Sequence, residues 1–183
     1  MLIRVNQRAP EREATRRSSM LGQATFEAVQ LPLLTVDVPH IKAALGQWER
    51  ARGQLLMPSE QSAKPLSVMS ARADTALMDV LRNPLDFQIR VFGPGLIAGQ
   101  GVDFTGRLVS AIEPSRYAAL AHGAYEDVLA ERAPAFHHMK YSDTRGDRSY
   151  FRLLLPLSED GREVVALWSV THYYQGPWQP PRR

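Results

Sequence analysis

The 183-residue sequence has no cysteine, which removes a disulfide framework, thiolate-held zinc or iron–sulfur centres and a thiol nucleophile together. Long apolar runs are missing as well. No stretch reaches the ~18 consecutive apolar residues of a membrane span, and no apolar segment follows the first charges as in an export signal. A cytoplasmic protein is expected. An excess of one charge is nearly absent: 22 Lys+Arg face 19 Asp+Glu, a net +3. That surplus sits at the two ends, on Arg4, Arg8, Arg12, Arg16 and Arg17 and on Arg182 and Arg183. The chain between them is slightly acidic, so no basic recognition face and no nucleic-acid partner are expected. Walker, His-Glu-x-x-His and Gly-x-Ser-x-Gly sequences do not occur. The glycines at 93, 95 and 99 have neither the spacing nor the βαβ setting of a dinucleotide fingerprint.

What the sequence does contain is an ordinary globular balance, 44% hydrophobic and 22% charged residues, enough for one packed domain at about 100 to 200 residues per domain. Residues 1–38 read as a mobile Arg-rich tail followed by a more apolar docking stretch, in which Pro32 argues against a continuous helix. A domain at 39–174 and a tail at 175–183 follow. Ile41, Ala44, Leu45 and Trp48 recur at helical spacing up to Gly53, giving an amphipathic helix over 41–52. A short helical piece is expected from Pro65 through Met69. Thr75–Leu81 and Asp86–Phe92 read as a hairpin, with Phe87, Ile89 and Val91 on one face. A short helix fits between Gly93 and Gly101, and the segment Asp103 to Arg107 has the composition of a tight turn. Pro114 to Arg132 carries the strongest helical stripe, with Tyr117, Ala121 and Tyr125 on it. Strands at about 135–142, 149–157 and 163–174 close the chain. Hairpins on both sides of a helical middle give an α+β layout with an antiparallel sheet.

Several of these segments together resemble the PAS-fold sensory domains, in particular a bacterial family of short stand-alone PAS proteins of alphaproteobacterial type. The carriers are the helix with Trp48, Arg52-Gly53 and Met57-Pro58-Ser59, the strand Asp86 to Gly93, the turn Gly101 to Arg107, and the hairpin Leu153 to Gly161. They span residues 41–174. Gln61 to Pro65 departs from the family pattern, which has acidic residues before the proline, and Pro94 replaces a common Thr. The resemblance implies a five-stranded antiparallel sheet in the order 2-1-5-4-3, helices on one face and a flanking N-terminal helix. It also implies a regulatory, signalling role.

The apolar stripes read first of all as a plain core; in the PAS fold that the chain resembles, the same space can open into a ligand pocket, which would be lined by Phe87, Ile89, Val91, Phe104, Tyr117, Ala121, His122, Tyr125, Leu153 and Leu167. The last strand is apolar on both faces, so something must cover its outer side. Leu45, Trp48, Trp168 and Val170 are therefore candidate interface residues, covered by the 41–52 helix or by a second subunit in a homodimer. His137 and His138 are adjacent in a strand and point to opposite faces, so they cannot chelate one metal together. No metal and no required cofactor is expected. The functional expectation is a stand-alone regulatory protein that works through protein–protein contacts, with a small-molecule ligand modulating them and no attached output domain. Two alternatives stand beside it. One is a small pocket enzyme using His122, Tyr117 or Asp103, which a buried polar cluster would favour; the other is a haem sensor with His122 as axial ligand.

Overall fold

The computed structural model describes residues 24–64, 74–143 and 146–173. The expected tails at 1–23 and 175–183 and the helical piece at 65–69 lie outside these residues. An antiparallel sheet of six strands organises the described chain: β1 (Thr25–Leu31), β2 (Thr75–Arg82), β3 (Leu85–Phe92), β4 (Ala135–Asp143), β5 (Gly146–Ser158) and β6 (Val164–Tyr173). Their order across the sheet is β1-β4-β5-β6-β2-β3. The α-helices described are α1 (Pro39–Arg52), α2 (Glu60–Ala63), α3 (Pro94–Gln100) and α4 (Ser115–Glu131), with a 3-10 turn at Val109–Ala111 before α4. The fold is thus α+β.

The expected five-stranded sheet is corrected to six strands. Residues 25–31, within the expected docking stretch, join the sheet as edge strand β1, paired along its length with β4 from Thr25↔Ser142 to Leu31↔Phe136. The domain accordingly starts before residue 39. Thr, Phe and Val in TFEAVQL suit a strand, and Pro32 falls just beyond its end, where no ladder hydrogen bond is needed.

Helices lie on both faces of the sheet, α4 on one and the flanking helix α1 on the other. The register fixes the faces. Arg152 stands opposite Thr171, and Leu154 opposite Ser169, on one side; Leu153 stands opposite Val170, and Leu155 opposite Trp168, on the other. The first side faces α4, because Arg152 meets Tyr125 there. The second faces α1, where the ring of His40 lies against that of His172.

α1 begins with Pro at its first turn and ends at Gly53, whose φ of 55° lies in the region that favours glycine. Its stripe of Ile41, Ala44 and Trp48 is fully buried. The Trp48 indole N–H donates to the Pro156 carbonyl at 2.7 Å. That carbonyl needs a side-chain donor because β4 pairs with β5 only as far as Leu154. The same stretch of β5 gives its Ser158 N–H to the Pro58 carbonyl at 2.9 Å. Proline is tolerated at 156 for the same reason, since no neighbouring strand asks for its N–H on that side.

Trp48, Trp168 and Val170 are therefore enclosed within the chain, and Leu45 packs against the same core. α1 covers the β5–β6 part of this face, so of the two covers expected for these four residues it is the 41–52 helix that the structure shows. Leu153 belongs to this α1 side and not to the opposite one. A register shift between Leu77 and Met78 also breaks the expected stripe on β3. Ile89 pairs with Met78 and Val91 with Leu77, so these two apolar residues fall on opposite faces. Arg90, the extra residue, instead binds Asp79 on β2 and Glu60 on α2.

Candidate functional site

β5 is a central strand, and every residue from Phe151 to Ser158 is buried. Six of the seven residues Phe151 to Leu157 are apolar or proline; the exception is Arg152, at 2% exposure. Its position under α4 follows from strand alternation alone. Removing a guanidinium from water costs several kcal/mol unless it is paired. Among the described residues no Asp or Glu lies within ion-pair distance of it. Its described partner is a phenol: Nη1 donates to the Tyr125 Oη at 3.3 Å, and the guanidinium carbon stands 5.0 Å from the Tyr125 ring centroid. Nε and Nη2 are buried and meet no hydrogen-bond acceptor among the described residues.

Around this cation the chain places groups that are mostly donors or can become so. Tyr150, two residues before Arg152 and on the same face, has its hydroxyl 3.0 Å from that of Tyr117 on α4. The Tyr150 ring lies 5.4 Å from Tyr173 on β6, and the Tyr173 hydroxyl accepts a hydrogen bond from Gln100 of α3 at 2.9 Å. Gly99 in α3 is needed for this approach, since a Cβ there would sit 2.9 Å from the Tyr173 ring. Phe26 of β1 packs on Tyr117 at 5.7 Å from the sheet edge.

His137 of β4 stands directly opposite Arg152 in the ladder, is 4% exposed, and leaves its Nδ1 without a partner among the described residues. Burial, with the Arg152 charge beside it, pushes the His137 imidazole down to about 3, so the ring is neutral in the working range. Burial holds the phenols of Tyr125 and Tyr150 above their ordinary value, and that of Tyr173 up to about 12. The cluster therefore carries one positive charge.

The pocket residues expected from sequence divide. Tyr117 and Tyr125 belong to the cluster, and Phe87, Ile89, Ala121 and Leu167 are buried on the same side of the sheet, Phe87 in edge contact with Tyr125 at 5.0 Å. Val91 and Leu153 face the other way. Phe104 packs on Phe92 at the β3 edge.

His122 sits on the rim of α4, with Nδ1 3.3 Å from Glu126 and Nε2 3.3 Å from the Leu85 carbonyl. Both ring nitrogens are thus engaged, so the axial-ligand position of the haem reading is not supported. Asp103 accepts the Thr105 N–H at 2.8 Å in its exposed turn. His122, Asp103 and Tyr117 thus meet separate partners, Tyr117 pairing with Tyr150. His137 and His138 do point to opposite faces, toward Arg152 and Phe151. No three potential metal-ligating side chains gather among the described residues.

Arg152, His137, Tyr150 and Tyr173 were missed from the sequence. The signal was available: a single arginine inside the run FRLLLPL is a charge in a strand with no exposed face. No protein-family model matches the chain, and no curated protein is similar enough to count as a relative.

Proposed function

We propose that this chain is a PAS-type regulatory protein that holds a small molecule between α4 and the sheet and acts through contact with a protein partner. The buried, donor-rich cluster at Arg152, between α4 and the strands β4, β5 and β6, supports a bound small molecule; the regulatory output rests on the resemblance of residues 41–174 to PAS domains, since the cluster alone fits a pocket enzyme equally well. The adjacency of the β2–β3 hairpin to β6, with β5 and β4 beyond, supports the PAS assignment, and β1 is an addition at the far edge.

A route from this cluster to the surface runs through β6. Thr171 lies opposite Arg152, while its carbonyl is 3.0 Å from His40 Nε2 at the start of α1. Its N–H donates to the Asp74 carbonyl at 2.7 Å. Occupancy matters only as far as the ligand prefers one placement of β6 and α1 over another. The outward side of α1, with Lys42, Glu49 and Arg50 exposed, is the output.

A second reading, a pocket enzyme, draws on the polar character of the cluster. The two are separated by isolating the protein without denaturation and weighing it intact. A regulatory protein carries a small molecule that is released unchanged, and amide hydrogen exchange in α1 slows when the stripped protein is reloaded with it. Chemical conversion of the released molecule would establish the enzyme, and identical α1 exchange with and without it would overturn the regulatory reading.

A further inference from the structure

Arg152 offers more than an unpaired charge. In a guanidinium, Nε–H and one N–H of Nη2 lie on the same edge and point in parallel, while Nη1 occupies the opposite end. Nη1 is held by Tyr125. Nε and Nη2 have no partner among the described residues, and they form the edge that grips a carboxylate through two parallel hydrogen bonds. We infer that this edge is an anchor for a small organic monocarboxylate enclosed between β5 and α4.

The observations select that class. One guanidinium, with no acidic residue near it among the described residues, balances one negative charge. A dianion such as phosphate would bring a second charge that no described cation faces. His137, opposite Arg152, supplies a neutral ring nitrogen without a partner. The Tyr117–Tyr150 hydroxyl pair supplies O–H groups that can turn toward an anion. The body of the acid meets aromatic and aliphatic carbon: the rings of Tyr125, Tyr150 and Phe87, with Leu154 and Leu167 on the same side of the sheet. A flat or short apolar acid suits such walls. Entry requires movement of α3, whose Gln100 bonds the Tyr173 hydroxyl and whose Gly99 lies against the Tyr173 ring.

This inference rests on the reading of the α4 side as the ligand side, and the two can fail separately. The test uses the full chain, stripped by dialysis and carrying 15N-arginine, titrated with formate, acetate, benzoate, the neutral benzamide and inorganic phosphate. Formate is included because it fits wherever two water molecules would. The Arg152 Nε–H resonance, assigned by its absence from Arg152→Met, is expected to shift saturably with the carboxylates and not with benzamide. The melting temperature is expected to rise with the same acids in the wild type and in Tyr125→Phe, and not in Arg152→Met. Arg152→Lys, which keeps the charge but loses the parallel edge, is expected to bind about tenfold more weakly.

An unmoved Nε–H signal with formate would overturn the proposal, as would a carboxylate-induced rise that survives in Arg152→Met. A shift with phosphate alone would overturn the carboxylate class. Carboxylate binding that leaves α1 hydrogen exchange unchanged would keep the anchor and sink the regulatory reading.

Discussion

Replacing Arg152 by Met should make the ligand-free protein more stable, against the usual outcome of core substitution. At 2% exposure the guanidinium has given up its hydration, at an effective cost of several kcal/mol. Its returns are limited. The bond to Tyr125 at 3.3 Å is long and worth about 1.5 kcal/mol at the low end for a charged donor. The ring contact at 5.0 Å contributes about 1 to 2 kcal/mol. Two of the three guanidinium nitrogens remain unpartnered among the described residues. The balance leaves about 1 to 2 kcal/mol against folding, which Met removes while filling much of the same channel with an unbranched chain. For a chain of this length that corresponds to a rise of about 2 to 8 °C in Tm. The assay is urea unfolding of dialysed protein at neutral pH followed by far-UV circular dichroism, with scanning calorimetry alongside. The midpoint should rise with the m-value unchanged. Arg152→Lys keeps a buried charge and should gain nothing. A loss of more than about 1 kcal/mol in Arg152→Met would mean that the guanidinium is fully satisfied in the free protein, and the reasoning from an unpaired cation would be refuted.

Trp48→Phe keeps most of the ring burial but removes the donor to the Pro156 carbonyl, so it should cost about 1 to 3 kcal/mol. Because Trp48 packs within one chain, the loss should not vary with protein concentration in equilibrium unfolding; a concentration-dependent loss would restore α1 to a subunit interface. Acid should destabilise the fold through His137. Its folded value, about 3, lies below the unfolded 6.5, so the unfolded chain binds the proton first. The stability contributed by the neutral ring is whole above pH 6.5 and declines as pH falls toward the folded value, by up to ~1.4 kcal/mol per pH unit. His138, held near 4 by burial and by Lys140, adds in the same direction. Urea midpoints measured between neutral pH and pH 4.5 should show this slope in the wild type and a shallower one in His137→Gln; equal slopes would refute it.

Much of the fold was legible because periodicity reports burial on one face. The stripe of α4, the α1 stripe ending at Gly53 and the β2–β3 hairpin all carry it. The pattern failed where burial is two-sided or the strand is irregular. β5 is covered on both faces, so Leu153 and Leu154 look alike in sequence although they face α1 and α4 respectively. The bulge at Arg90 reverses Val91 relative to Ile89, and nothing in the alternation of Phe87, Ile89 and Val91 announces it. β1 escaped because an edge strand needs only one partner, and that partner, β4, lies more than a hundred residues away. The site was half visible: Tyr117 and Tyr125 lie on a helix with a clear apolar stripe. Arg152 is hard to read from the sequence because a charge in a strand is ordinarily taken for its exposed side, and the stretch Phe151–Ser158 has none.

Both faces of the sheet meet in β6, and that limits how a ligand could speak to the surface. Along Thr171, His172 and Tyr173 the side chains alternate between the Arg152 side and the α1 side. A strand cannot move one set without the other, because the pleat is rigid on the scale of a hydrogen bond. α1 is held along its length by the buried Ile41, Ala44 and Trp48. Trp48, in its later half, is buried and pinned to Pro156. Its first turn is held by Ile41, fully buried in the core, and by His40, through one hydrogen bond to the Thr171 carbonyl and one ring contact at 5.2 Å with His172. A shift of β6 would reach α1 through the two His40 contacts, at the Thr171 carbonyl and the His172 ring. Thr171→Ala leaves the backbone bond to His40 in place and alters only the side facing Arg152. His40→Ala does the reverse, so it should uncouple α1 exchange from ligand while leaving the affinity of the site nearly unchanged. Equal loss of affinity in both variants would mean that His40 acts on the Arg152 side itself, and its assignment as the link between β6 and α1 would have to be abandoned.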